Sequence, residues 1–223
     1  MRTFLTMIAL AGCGDDGARG IDAAPDVAPI VLDCPSYCAE IQANCTGANA
    51  QYSDTAHCTA TCASFTVGAS TVTDASGNTL GCRIYHGGAP SKGMPGTHCV
   101  HAGPAGDLIS ATPPAVCSGG DVCASFCSLE IKACGSLDAP LPGNPRDTSN
   151  SPLFQYQNMT DCMASCAKFD KAHAYSTMAK GDSLACRLYH ATSAAIAVTP
   201  NGVMNCAATS PDPTGPCSGA ASP

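Results

Sequence analysis

The chain has 223 residues, no Trp, 5% aromatic and 12% charged residues, and a net charge of −7. An acidic chain with no run of basic residues is not built for nucleic acid or an anionic bilayer surface, because both reward Lys/Arg clusters. Its 17 cysteines, 22 glycines and 17 prolines point instead to small apolar cores held by covalent staples.

Met1-Arg2-Thr3 gives a positive start, and Phe4 to Leu10 is a short apolar stretch. It is too short to cross a bilayer as a mature helix and reads as an export signal. Leu10-Ala11-Gly12-Cys13 follows and resembles the lipobox of bacterial lipoproteins. That resemblance implies removal of residues 1–12, lipidation of Cys13, and a membrane partner reached through the lipid. Parity agrees. Seventeen cysteines leave one odd thiol, and giving Cys13 to lipid leaves sixteen, or eight per repeat. Residues 13–32 are rich in Gly, Ala, Pro and Asp and read as a flexible tether. In lipoproteins of the enterobacterial type, Asp directly after the lipidated Cys favours the inner membrane. Gly14 stands there, so the resemblance implies the outer membrane or cell surface.

The first module spans 33–118. Cys34, Cys38 and Cys45 are spaced by four and seven, which places them on one helical face with Ile41. Asp33 suits the N-cap, and Pro35 suits only a first turn. A second helix carries Cys58 and Cys62, with Phe65 on the next turn. Gly77-Asn78-Thr79 is a stop followed by an N-cap, opening a third helix through Cys82 and His86. Gly87 to Cys117 reads as a Gly/Pro-rich loop closed by Cys99 and Cys117.

Gly77 to His86 (GNTLGCRIYH) returns as Gly181 to His190 (GDSLACRLYH), an offset of 104 (181 − 77). A ten-residue match in register marks an internal duplication. The second module, 119–223, repeats the four-and-seven spacing at Cys123, Cys127 and Cys134. Cys162, Cys166 and Cys186 then follow Cys58, Cys62 and Cys82 at the offset of 104. The opening cysteines are offset by 89 (123 − 34), so fifteen residues (104 − 89) are inserted between Cys134 and Gln155. Pro140, Pro142, Pro145 and Pro152 make that insertion an irregular surface loop. The fold class is therefore mainly α, as two tandem disulfide-rich helical repeats with long Gly/Pro-rich loops.

Two C-x3-C pairs on successive helices resemble the α-hairpinins, in which two antiparallel helices are cross-linked twice. The resemblance implies Cys34–Cys62 with Cys38–Cys58, and Cys123–Cys166 with Cys127–Cys162. The four cysteines left in each module then suggest Cys45–Cys82 with Cys99–Cys117, and Cys134–Cys186 with Cys206–Cys217. Eight cysteines allow 105 pairings, so spacing alone does not choose. A four-thiolate metal cage is the competing reading of each set. Export weighs against it, since thiols in an oxidising envelope become disulfides.

His86, His98 and His101 are the sharpest candidates for chemistry. If they converge, three imidazoles suit Zn or Cu(II). Module two keeps only His190 and has Asn205 and Ala208 where the other two fall, which favours a structural or surface role. Arg83-x-Tyr85-His86 and its copy Arg187-x-Tyr189-His190 read the same way. Tyr and His pack on the disulfide, while Arg points elsewhere to cap a carbonyl or pair with an acid.

There is no C-x2-C-H, H-E-x-x-H, G-x-S-x-G or P-loop, and thus no catalytic residue to name. The expectation is an exported, lipid-anchored structural or binding protein of the bacterial envelope with a protein or other envelope partner. A Zn- or Cu-handling lipoprotein is the alternative, and a secreted enzyme of unknown class comes last.

Overall fold

The computed structural model describes residues 30–108, 116–138, 154–196 and 200–221. The export signal, Cys13, most of the tether and the proline-rich insertion lie outside them.

Helix α1 (Cys34–Asn44) opens on Asp33, whose carboxylate accepts from the Ser36 amide at 2.8 Å. Helix α2 (Thr55–Cys62) opens in the same way on Asp54. Helix α3 (Leu80–Gly87) begins on Thr79, whose hydroxyl accepts from the Cys82 amide at 3.2 Å, just past Gly77 in the left-handed region. These caps satisfy amides that the first turn leaves without intrahelical partners.

The stretch read as a loop after Gly87 instead holds two short helices, α4 (Ala89–Gly93) and α5 (Pro95–Ala102). Each has proline in its first turn, where the missing N–H costs nothing. Module two runs α6 (Val122–Cys134), α7 (Met159–Cys166), α8 (Leu184–Ala194) and α9 (Pro200–Ala208), matching α1, α2, α3 and α5 in order. The protein is mainly α, with no strand among the described residues.

Eight disulfides lie within the modules and none crosses between them. The hairpin bridges are Cys34–Cys62, Cys38–Cys58, Cys123–Cys166 and Cys127–Cys162. The outer bridges differ from those the leftover cysteines suggest. Cys45 joins Cys99 rather than Cys82, and Cys82 joins Cys117. Likewise Cys134 joins Cys206 rather than Cys186, and Cys186 joins Cys217. The reason is α5 and its copy α9. Each is a helix packed against the helix that carries the repeat motif, and each brings its cysteine to the end of the module's opening helix. A bridge contributes about 2–4 kcal/mol by restricting the unfolded chain.

Module one packs Tyr37, Ile41, Leu80 and Ile84 around its bridges; module two packs Phe126, Leu129, Leu184 and Leu188. The modules touch. Helix α2 packs on α8, the Tyr175 hydroxyl donates to Gln51 O at 3.0 Å, and Lys132 Nζ donates to Ala63 O.

Candidate functional site

The duplicated motif is a core device in both copies. Arg83 is fully buried: Nε donates to Gly103 O at 3.2 Å, Nη1 to Thr79 O at 3.2 Å and Nη2 to Pro104 O at 3.4 Å. Its guanidinium lies 4.0 Å over the Phe65 ring. Arg187 repeats this with Ser210 O, Ser183 O and Pro211 O, over Phe169 at 4.0 Å. A planar five-donor fork ties the start of its own helix to the chain leaving the last helix of the module. Arg is therefore buried along with His86, while Tyr85 and Tyr189 are only half-buried, so the tyrosine is less enclosed than expected on this helix. The fork caps carbonyls as expected, and Arg187 also pairs with Asp182 at 2.7 Å.

His86 lies one turn further along α3. Helix α5 carries His98 and His101 three residues apart on one face, aimed at it. All three converge. The His86 and His98 rings stack at 5.0 Å, and His101 stands edge-on to them at 4.9 and 5.5 Å. One ring nitrogen from each lies within 4.8 Å of the other two.

Proton positions follow from the partners. His86 Nε2 is 3.1 Å from Ala75 O, and a carbonyl only accepts, so Nε2 carries the proton and Nδ1 the lone pair. His98 Nδ1, 2.8 Å away, donates to that lone pair. His101 Nε2 faces Asp107 Oδ2 at 3.8 Å, while its buried Nδ1 has no partner among the described residues. Burial, with a smaller contribution from the neighbouring imidazoles, holds His86 and His101 below the ordinary histidine range. The neutral form is thus favoured at His86 and His101, and the His86 lone pair faces His98.

Module two shows what the same frame does without the cluster. His190 Nδ1 donates to Asn205 Oδ1 at 2.8 Å, and Ala208 replaces the third imidazole. In both modules the motif histidine also sits within ligand range of a cysteine pair, Cys82/Cys117 or Cys186/Cys217. Those sulfurs are bonded to each other and offer no thiolate.

Sequence reasoning named the three histidines but missed Asp107 and the Ala75 carbonyl behind them, which only the fold brings near. It also missed Glu130. This carboxyl is fully buried at the place of Ile41 in module one, and burial pushes its pKa to about 8.

Residues 34–125 match the model of the BfoA family C-terminal domain. The match covers the whole of module one and the opening turn of module two. No curated protein and no solved structure matches the chain. A framework of eight disulfides suits an oxidising, extracytoplasmic setting.

Proposed function

We propose that the protein is exported from a bacterial cell, anchored through lipid on Cys13, and serves as a disulfide-stapled structural or binding element of the envelope. The observation that carries this reading is one of parity. Sixteen of the seventeen cysteines are paired in two equivalent sets of four bridges. The one left over is Cys13, at the end of the lipobox-like tetrapeptide Leu10-Ala11-Gly12-Cys13. Gly14 after that cysteine supports the outer membrane or cell surface over the inner membrane.

A rigid body on a tether of about twenty residues suits presentation to a partner. The surface that supports a protein partner is the cleft of about 350 Å³ where α2 meets α8 and α9. It is edged by exposed Ile196 and Met204 beside His57 and Tyr189. Adaptable Met and half-exposed aromatic groups are enriched at such contacts.

Intact mass of the membrane-extracted protein, before and after reduction, tests the anchor and the framework together. The reading predicts a chain beginning at Cys13 with added lipid, and a gain of sixteen hydrogens on reducing eight bridges. A chain that keeps residues 1–12, or that carries no lipid, contradicts the anchor. Alkylation of several cysteines before reduction contradicts the framework.

A further inference from the structure

We propose that His86, His98 and His101 together bind one divalent first-row transition ion of the zinc or copper(II) kind. The inference goes beyond the anchored-scaffold reading and needs neither lipid nor partner, so either can fail without the other.

Four observations carry it. Three imidazole nitrogens already lie within 4.8 Å of one another. Around a tetrahedral ion with bonds of about 2.0–2.1 Å, ligand nitrogens stand roughly 3.3 Å apart. The His86–His98 contact at 2.8 Å then opens slightly, and His101 closes on the pair. A shift of the His98 proton to its other nitrogen frees both facing lone pairs.

The outward nitrogens are backed in the way metal-binding histidines are backed. His86 Nε2 donates to Ala75 O, and His101 Nε2 faces the Asp107 carboxylate. The buried His101 Nδ1 meets no other partner among the described residues, which a structural histidine would have no reason to leave unpaired.

Finally, the ligands sit on a cross-linked frame. Cys99, between His98 and His101, is bonded to Cys45, and Cys82, one turn before His86, is bonded to Cys117. Ligands held this way lose little freedom on binding. Three imidazole nitrogens select borderline ions over Mg²⁺ or Ca²⁺, which demand oxygen.

The test is a titration of the full mature chain with zinc sulfate and copper sulfate against a chromophoric chelator. It is run without reductant so that Cys82 and Cys117 stay bonded. One equivalent of either ion per chain is expected, copper the tighter, with no competition from Mg²⁺ or Ca²⁺. The His98→Asn/His101→Ala variant gives module one the residues that module two already carries in a folded frame. It should weaken binding at least a hundredfold. Asp107→Asn should weaken it about tenfold, and His57→Ala/His173→Ala should not change it. Independently of any variant, the copper(II) resonance should show nitrogen couplings. The proposal is overturned by a wild-type chain that binds no equivalent, by stoichiometric binding in the double variant, or by coordination through oxygen alone.

Discussion

Modules one and two share a frame and differ at a few positions inside it. Four bridges join equivalent cysteines, a buried Arg lies over a Phe, and helices open on equivalent caps. Against that background the differences stand out. Module one has His98 and His101 where module two has Asn205 and Ala208. Module two has Glu130 where module one has Ile41, and Phe126 where module one has Tyr37. What both copies keep is what the fold requires; what only one keeps is free to serve a function or to tune stability. The duplicated Arg-x-Tyr-His motif belongs to the first kind and the three-histidine cluster to the second.

The largest expected effect tests the shared part. Arg83→Met and Arg187→Met should each cost about 3–5 kcal/mol, because three carbonyls, two of them in fully buried bonds, lose their donors at once. Chemical denaturation measures this, and costs below about 1 kcal/mol in either copy would break the equivalence. Glu130 separates the copies by pH. Thr209 Oγ1 lies 2.8 Å from Glu130 Oε1 and 2.6 Å from Cys206 O. A hydroxyl has one proton, so with it given to Cys206 O the contact is completed by a protonated carboxyl.

Folded Glu130 keeps its proton to about pH 8, whereas an unfolded one releases it near 4.5. Stability present at low pH should therefore fall as pH rises between those values. Glu130→Gln should flatten that fall and gain on the order of 2–3 kcal/mol at pH 8. An unchanged pH profile would show that Glu130 is ionised in the fold.

The tyrosines give a smaller contrast. Tyr156 donates directly to Thr209 O at 2.6 Å, because Phe126 offers no hydroxyl. In module one Tyr37 serves Ala102 O, and Tyr52 reaches the Tyr37 hydroxyl rather than the carbonyl. Tyr156→Phe should cost about 1–2 kcal/mol and Tyr52→Phe less. Equal costs would mean that the second hydroxyl is not spare.

Most of the frame was legible. Cysteine spacing, caps and the 104-residue offset define α1, α2, α3 and their copies, because each signal is local. Helices α4 and α5 were not, because Gly and Pro between Gly87 and Cys117 look like loop composition. Pro90 and Pro95 were first-turn residues in disguise, and losing α5 meant losing the partner of Cys45. The inward turn of Arg83 was equally hidden, since its partners are backbone carbonyls that only the fold supplies. His86, His98 and His101 were legible as residue types but not as a cluster, for the same reason. Once α5 exists, His98 and His101 share a face and the convergence on His86 follows. Asp107 left no signal, since its role depends on a contact formed after the chain turns back past Gly106.

The most direct measurement counts zinc bound per chain in three proteins: wild type, His98→Asn/His101→Ala, and Asn205→His/Ala208→His. The second protein makes module one like module two, and the third does the reverse. One shared frame with a site private to module one predicts one, none and two equivalents. A wild type that binds none, or a double loss variant that keeps its one equivalent, contradicts it.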